Sequence, residues 1–272
     1  MTNQFFPKIS IITPNYNLGD FLERTIESVL SQNYPNLEYI IIDGGSTDNS
    51  LPIIKKYESQ LSYWESTADR GMYHALNKGF SKSSGEIMGW INSDDMLHPG
   101  SLFKIVRYFK SYKEVEWIQG YPNVFDLEDN IIYERNPRYQ NDFFLMNGFI
   151  IGNEYVQQES TFWKRSLWTK SGGYLSEEYM VAGDFELWMR FFKYSKLHCV
   201  KDYLGGFRSR PDQLSMNSNR YQQEAQLIVK KYRDNLSLMK KALLLWKLLC
   251  RKLKFGYKFS DNTVVKYLTP IS

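Results

Sequence analysis

Cysteine is scarce in this chain, and long apolar runs are missing from it. Cys199 and Cys250 are the two cysteines among 272 residues, which excludes a disulfide framework and favours a reducing compartment. The first ten residues lack the basic and apolar regions of a signal peptide. No uninterrupted apolar run reaches the ~18 residues of a membrane-spanning helix. We therefore expect a cytoplasmic protein that does not cross a membrane.

Acidic residues become rare near the C-terminal end. Positions 218–260 contain 11 Lys or Arg and 2 Asp or Glu, although the whole chain has a net charge of only +4. The first 217 residues are therefore acidic as a group. This asymmetry indicates a surface partner for the basic part. We predict a globular domain over residues 1–217 and a basic, amphipathic helical tail over residues 218–272.

The predicted tail helix, positions 236–253, separates apolar from basic residues. Its apolar stripe includes Met239, Leu243 and Trp246, and Lys or Arg residues take most of the opposite side. Such helices often lie on anionic membrane surfaces, where each basic residue contributes about 1 kcal/mol. We expect peripheral binding to the inner face of the cell membrane; packing of the apolar stripe on the domain is the alternative. Nucleic acid is not expected as a partner, because no aromatics alternate with cations on an accessible face.

The first 120 residues alternate between apolar runs and helical patterns. Strands are predicted over 8–13, 37–42, 61–64, 87–91 and 115–119, with helices between them, one of which (72–80) is closed by Gly79. A further strand is predicted over 197–207. This alternation is typical of βαβ units and a parallel sheet. Three of the strands lead into carboxylates, at Asp43, at Glu65 and at Asp94 with Asp95, and the carboxyl edge of such a sheet is where ligands bind.

Asp94 and Asp95 are adjacent in sequence and follow a strand. Neighbouring carboxylates repel each other unless a positive charge lies beside them. Mg²⁺ or Mn²⁺, with oxygen ligands and substrate phosphates, would supply that charge. A solvated turn that caps the following helix is the alternative. Asp184 raises a similar choice, since it begins a helix predicted over 184–194 and is either a helix cap or a carboxylate directed into a cleft.

Five segments in this order, SIITPNYN, SQNYPNLEYIIIDGGSTDNS, ESTADRGMYHALNKG, GEIMGWINSDD and VAGDFELWMRF, resemble glycosyltransferase family 2. The resemblance covers roughly residues 8–215. It implies a GT-A fold, an α/β architecture with a Rossmann-like, mostly parallel sheet flanked by helices. It also implies an inverting transferase that uses a nucleotide-activated sugar and a divalent metal, Mn²⁺ or Mg²⁺.

The resemblance assigns roles to individual residues of this sequence. It places Asp95 on the metal and makes Asp184 the catalytic base. Apart from the resemblance, Arg208, which follows the last predicted strand, and Glu65 are candidates for contacts with the diphosphate or the acceptor. The residues implied in nucleotide binding are Pro14, Tyr16, Asp43, Asp69 and Asp94.

The sequence departs from the family pattern at two positions. Gly183 precedes Asp184 where a Glu is usual, so Glu186 is a second candidate for the base. His74 stands where many relatives have Asp, and its role is left open. Several aromatic residues could offer faces on which a sugar stacks, although Trp188 is expected in the core; the candidates are Tyr73, Trp90, Tyr155 and Trp163.

The expected function is therefore that of a metal-dependent, hexosyltransferase-type enzyme of cell-surface polysaccharide synthesis. It would move a sugar from a nucleotide-sugar, with a UDP-sugar as the expected donor, to a saccharide or lipid-linked acceptor. A catalytically inactive, nucleotide-sugar-binding or regulatory family member is the alternative. A nucleotidyltransferase is disfavoured, because TPNYN after the first strand contains no glycine for a phosphate loop.

Overall fold

The computed structural model describes residues 6–135, 156–211, 213 and 218–239, together with positions 242, 243, 246, 267 and 268. The helices are α1 (Gly19–Leu30), α2 (Ser50–Tyr57), α3 (Met72–Lys82), α4 (Ser101–Ser111), α5 (Arg165–Lys170), α6 (Gly183–Phe191) and α7 (Ser218–Asp234). The strands are β1 (Ile9–Asn15), β2 (Leu37–Asp43), β3 (Tyr63–Ser66), β4 (Ile87–Trp90), β5 (Met96–Leu97), β6 (Trp117–Gln119), β7 (Asn123–Phe125), β8 (Ile131–Glu134), β9 (Thr161–Lys164), β10 (His198–Val200), β11 (Gly205–Arg208) and β12 (Tyr267–Leu268).

Among the described residues, the larger sheet has eight strands in the order β12-β10-β6-β9-β4-β1-β2-β3. Strand β1 pairs in parallel with β2 and β4, and β2 pairs in parallel with β3. Strand β9 is antiparallel to both of its neighbours. The prediction of an α/β fold with a mostly parallel sheet is confirmed. A smaller sheet, in the order β5-β11-β7-β8, lies beside it.

Alternate residues of the central strands point to opposite faces of the larger sheet, as the two-residue period of a strand requires. Ile12 and Ile40 join the apolar cluster on one face, which includes residues of α3, α5, α6 and α7. Ile11 and Ile41 join the cluster on the other face, with residues of α1, α2 and α4. Each such side chain contributes about 1.5–3 kcal/mol by its burial. This two-sided burial fixes the register that brings the strand ends together.

Several expected boundaries were wrong: the strand expected over 61–64 is Tyr63–Ser66, and the helix expected over 184–194 ends at Phe191. Two further differences have a clear physical reason. Helix α3 does not close at Gly79 but continues to Lys82. Gly79 lies against the sheet, where a Cβ would come within 2.4 Å of Ile12 Cγ2, so the residue permits close packing. The strand expected over 197–207 is divided into β10 and β11, which belong to different sheets. Asp202 holds the turn between them, because its backbone oxygen accepts the Tyr121 N–H at 2.9 Å.

The tryptophans considered as sugar platforms lie in the core instead. Trp90 and Trp163 are buried, as are Tyr73 and Trp188. The Trp90 and Trp188 rings stack at 5.8 Å with an interplanar angle of 10°. A sugar cannot reach these faces in this arrangement, so the stacking interpretation is wrong for Tyr73, Trp90 and Trp163. The expectation that Trp188 lies in the core is confirmed. Tyr155 lies outside the described residues.

The C-terminal segment contacts the body at two places. Helix α7 packs on α6, with Ala225 and Ile228 fully buried in the same cluster as α6. Strand β12 pairs in parallel with β10 at the end of the larger sheet. Within the described part of the chain, no helix is long and apolar enough to cross a bilayer. Most of the predicted tail helix, including its basic residues, lies outside the described residues.

Candidate functional site

Asp43, the last residue of β2, is fully buried and saturated with hydrogen bonds. Asn15 Nδ2 donates to Oδ1 at 2.7 Å. The Ser46 and Ser66 hydroxyls each donate at 2.6 Å, and the Ser46 backbone N–H donates at 2.9 Å. Burial by itself raises the pKa of Asp43, but the hydrogen bonds from Ser46, Ser66 and Asn15 outweigh it and hold the pKa below its ordinary value. The charged carboxylate thereby ties together the carboxyl ends of β1, β2 and β3.

The other residues implied in nucleotide binding are Pro14, Tyr16 and Asp69, on the loops around Asp43, and Asp94. Pro14 is buried within β1, and Tyr16, just beyond the strand, leaves 63% of its side chain exposed. A Cβ at Gly44 would lie 2.9 Å from Asp69 Oδ2, so the Asp69 carboxylate stands directly above the loop after Asp43. Asp69 also accepts the Gly71 N–H at 2.7 Å. An exposed aromatic ring, a carboxylate and a glycine-rich loop therefore border one surface.

The Asp94–Asp95 pair lies between β4 and β11. Asp95 is 1% exposed, and its oxygens accept the Arg208 backbone N–H at 2.8 Å and Asn92 Nδ2 at 2.9 Å. Asp94 Oδ2 accepts Arg210 Nε at 2.7 Å. Burial, followed by the charges of Glu159 and Asp94, raises the pKa of Asp95 well above its ordinary value. Of the two carboxylates, only Asp94 has a direct ion pair with an arginine among the described residues.

Glu159 is a buried acid that the sequence did not reveal as part of the site. It lies in a 3-10 turn, Gln158–Ser160, just before β9. Burial, with contributions from the negative charges of Asp184 and Asp94, raises the pKa of Glu159 to about 7. The residue thus stands between the Asp94–Asp95 pair and α6. Its neighbours in sequence follow no recognisable motif, so only the fold brings it there.

The carboxylate oxygens of Asp94, Asp95 and Glu159 fit a divalent cation that takes its remaining ligands from the substrate. Asp95 accepts hydrogen bonds from the Arg208 N–H and from Asn92 and shares another with Glu159, but its two oxygens keep further lone pairs. The charges of Asp94 and Glu159 lie beside it. Within the described ranges, no three acidic, histidine or cysteine side chains group closely enough to hold an ion by themselves. Mg²⁺ and Mn²⁺ commonly use one or two carboxylates together with phosphate oxygens, so the arrangement agrees with a metal–nucleotide complex.

Asp184 lies in the first turn of α6, beside Glu159. Its Oδ1 is buried and has no hydrogen-bond partner among the described residues. Burial, with a smaller contribution from the charge of Glu224, raises the pKa of Asp184 to about 7. Such a carboxylate is suited to accept a proton near neutral pH. A side chain at Gly183 would meet the Tyr73 ring at 2.7 Å, which explains why the Glu usual at that position is absent here.

The second candidate for the base is engaged elsewhere. Glu186 pairs with Arg190, whose Nε lies 3.0 Å and 2.9 Å from its two oxygens, and both side chains are buried. His74 Nδ1 accepts the Arg70 N–H at 3.3 Å at the start of α3. Glu65 forms an ion pair with Lys78. The structure thus gives Glu186, His74 and Glu65 contacts within the protein.

Arg208 and Arg210 occupy different positions beside Asp94. The Arg208 guanidinium is 1% exposed and donates to the backbone oxygens of Asp94 at 2.8 Å and Asp126 at 2.9 Å. Its Nη2 has no partner among the described residues. Arg210, which the sequence did not single out, makes the direct ion pair with the Asp94 carboxylate. Alternation of basic residues at the end of a strand is the one signal that could have pointed to it.

Comparison with known proteins gives a consistent picture. The family model for glycosyl transferase family 2 matches residues 10–169. The uncharacterized glycosyltransferase Rv1514c of Mycobacterium tuberculosis is 31% identical over 186 residues, which are 68% of each chain. TuaG of Bacillus subtilis, a candidate glycosyltransferase of teichuronic acid biosynthesis, is 35% identical over 113 residues, 40% of this chain and 44% of TuaG.

Solved structures show the same fold at lower identity. Residues 1–349 of Staphylococcus aureus TarS, in complex with UDP-GlcNAc, superpose with a TM-score of 0.67 and 19% identity over 95% of this chain and 76% of that chain. The mannosyltransferase PcManGT from Pyrobaculum calidifontis, in complex with GDP-Man and Mn²⁺, gives a TM-score of 0.59 and 16% identity over 92% and 81%. These likenesses confirm the predicted GT-A fold.

We expect Asp43→Asn to lower the free energy of unfolding by about 1–3 kcal/mol, because an amide NH₂ would face donors that now meet a carboxylate oxygen. The folded-state pKa of Asp43 is depressed, so its stabilisation is present above the unfolded pKa of about 3.9 and is lost as the pH falls through the folded value. Urea unfolding at several pH values measures both effects.

Asp20→Asn is the matched control, since Asp20 is an exposed acid in the first turn of α1. Its replacement should cost only a few tenths of a kcal/mol, from the helix dipole. Equal stabilities for the two variants would show that Asp43 does not hold the strand ends together.

Proposed function

Because this chain belongs to glycosyl transferase family 2, we propose that it is an inverting, metal-dependent hexosyltransferase. It moves a sugar from a UDP-sugar to a saccharide or lipid-linked acceptor in cell-surface polysaccharide synthesis. The observation that carries this proposal is the position of Asp184. Its partly unpartnered carboxylate lies beside Glu159, which also neighbours the Asp94–Asp95 pair. A proton acceptor and a candidate metal site therefore both neighbour Glu159.

The donor half of the proposal rests on the loops at the ends of β1 and β2. Tyr16 offers an exposed ring for the base, and Asp69 stands above the loop after Asp43. Because the Asp43 carboxylate already accepts several hydrogen bonds, it shapes this loop whether or not it also meets the base. TarS, which shares the fold, binds UDP-GlcNAc, and this favours UDP as the nucleotide. TuaG, a relative connected with teichuronic acid biosynthesis, favours a polysaccharide product.

The diphosphate would lie beside Asp94 and Asp95. Asp95 would ligate Mn²⁺ or Mg²⁺, and Asp94 would lie near the ribose once Arg210 releases it. A metal bound there stabilises the negative charge that develops on the departing nucleoside diphosphate. PcManGT is seen with Mn²⁺ and its nucleotide-sugar. Arg208 Nη2 has no partner among the described residues, so it is the atom of that side chain that a phosphate oxygen would approach.

Asp184 acts on the acceptor. An acceptor hydroxyl is a weak nucleophile at neutral pH and needs a general base as it attacks the anomeric carbon. The carboxylate accepts the hydroxyl proton while the bond to the diphosphate breaks on the opposite side of the sugar. Attack in line with the leaving group inverts the anomeric centre.

We expect Asp184→Asn to lower kcat by about 10²–10⁴-fold, the usual contribution of a general base, with UDP binding unchanged. Since the base works in its deprotonated form and its pKa is raised to about 7, wild-type turnover should rise with pH through about 7. The variant should lose this rise. A coupled assay of UDP release with a panel of UDP-sugars and acceptors, run from pH 5 to 9, measures both.

Glu178→Gln is the control, because Glu178 is an exposed acid on the segment that leads to α6, with 68% of its side chain accessible. It should keep normal turnover and the normal pH profile. Near-normal turnover in Asp184→Asn would contradict the assignment of the base. Sugar-nucleotide binding without turnover under any condition would favour the inactive, nucleotide-binding alternative.

The C-terminal segment is proposed to hold the enzyme on an anionic membrane surface. Leu238 and Met239 leave 85% and 81% of their side chains exposed, and Leu243 and Trp246 are also exposed. Met239, Leu243 and Trp246 belong to the apolar stripe of the predicted tail helix. Their exposure supports a surface outside the body as the partner of that stripe.

The membrane proposal is tested by replacing the basic residues of the helix with Gln, namely Lys240, Lys241, Lys247, Arg251, Lys252 and Lys254. Truncation is less suitable, because it would also remove β12 from the sheet. We expect wild-type protein to bind vesicles that contain anionic lipid and not vesicles of neutral lipid. The substituted protein should bind neither, since each basic residue contributes about 1 kcal/mol, and its activity on a water-soluble acceptor should persist. Unchanged binding to anionic vesicles would contradict the proposal.

A further inference from the structure

The backbone N–H groups of residues 180–182, which lead into α6 and end at its N-cap residue, are capped by a carboxylate from another helix. Ala182 is the N-cap residue, and no side chain within this turn caps the helix. The first backbone N–H groups of a helix need acceptors from outside it. The Glu224 carboxylate of α7 accepts the backbone N–H groups of Met180, Val181 and Ala182 at 3.1, 2.9 and 3.0 Å. One carboxylate therefore orders three consecutive peptide groups that lead directly to Asp184.

Glu224 is held in place by the packing of its own helix. Ala225 and Ile228, on the same face of α7, are fully buried against the body. Tyr232, two turns further along this face, donates from its hydroxyl to Glu186 of α6 at 3.3 Å. Burial opposes ionisation of Glu224, but the N–H groups of Val181 and Met180 and the Arg220 side chain hold its pKa below the ordinary value. The cap is therefore a charged group in a fixed position.

The opposite side of the same turn is fixed by α3. The Asp184 N–H donates to the Tyr73 hydroxyl at 3.3 Å, and the Tyr73 ring packs on Gly183. Asp184 itself has a carboxylate oxygen without a partner among the described residues. The direction of the carboxylate thus depends on the hydrogen bonds that it accepts from the Phe185 N–H and the Tyr73 hydroxyl, and on its backbone, which is held between Tyr73 and Glu224.

We propose that Glu224 is the positioning residue for Asp184, and that α7 is consequently a working part of the catalytic domain. This inference rests on the proposed role of Asp184 as the base. A general base displaced by about 1 Å loses on the order of 10²-fold in rate, so loss of the cap should lower kcat while the donor site, built on other loops, keeps its KM. The titratable side chains that face Asp184 are Tyr73 from α3, Glu159 from the 3-10 turn and Glu224 from α7.

The test compares Glu224→Ala, which removes both acceptor oxygens, with Glu224→Gln, which keeps one and removes the charge. Hydrogen exchange of the amides of residues 180–182 should be about tenfold faster or more in Glu224→Ala, and less affected in Glu224→Gln. The kcat of Glu224→Ala should fall about 10–100-fold, with Glu224→Gln in between and the KM for the donor unchanged in both. Since the charge of Glu224 raises the pKa of Asp184, the rise of turnover with pH should move to lower pH in Glu224→Gln.

Lys231→Ala is the matched control on the same helix, since Lys231 pairs with Glu178 at the exposed surface. It should change neither exchange nor turnover. Exchange at 180–182 that is unaltered in both Glu224 variants would overturn the inference, as would faster exchange with normal kcat and an unmoved pH profile. Full activity of Asp184→Asn would instead refute the proposed base. The exchange measurement would still decide whether Glu224 holds the backbone of residues 180–182, which lead into α6. If Glu224→Ala does not fold, Glu224→Gln alone gives the exchange and the pH profile.

Discussion

The structure depends on how it keeps several carboxylates buried at one edge of an apolar sheet. An uncompensated buried charge is costly, and each acid here is compensated differently. Asp43 is surrounded by hydroxyl and N–H donors of its own loop, and Asp94 pairs with Arg210. Asp95, Glu159 and Asp184 have less compensation, and their pKa values are raised. Asp43 and Asp94 therefore stabilise this edge of the sheet, whereas Asp95, Glu159 and Asp184 are available to bind a cation or a proton.

Helix packing fixes the positions of the strands and loops at this edge of the sheet. The apolar clusters on both faces of the sheet fix β1, β2 and β4 relative to one another, so the loops that follow them cannot drift apart. Helix α6 is fixed in the same way, by the Tyr73 ring on one side and by α7 on the other. The aromatic core around Trp90 and Trp188 supports α6 from below. The rigidity of α6 would matter for Asp184 as the proposed base, because a general base works only when its distance to the acceptor is well defined.

The sequence pattern predicted the positions of candidate site residues that directly follow a strand in the chain. Asp43 and the Asp94–Asp95 pair belong to this class, because an apolar run leads into each of them. Their detailed roles in binding remain predictions. Glu159 could not be anticipated, because it reaches the site through β9, which inserts antiparallel between β4 and β6. Glu224 lies in the basic stretch 218–272, which the composition predicts to be a tail with a partner outside the domain. Only the tertiary packing shows that α7, part of this stretch, packs on the domain.

We propose that Asp95 and its acidic neighbours form a site for a metal–nucleotide complex. Calorimetric titration of UDP into the wild-type protein and Asp95→Ala, with and without Mn²⁺, tests it most directly. We expect wild-type binding that requires Mn²⁺ and that disappears in Asp95→Ala, because the ion would offset the charge around Asp95. UDP binding that is equally tight without the metal and in the variant would contradict it. So would the absence of any nucleotide binding, and the buried acids would then need a purely structural explanation.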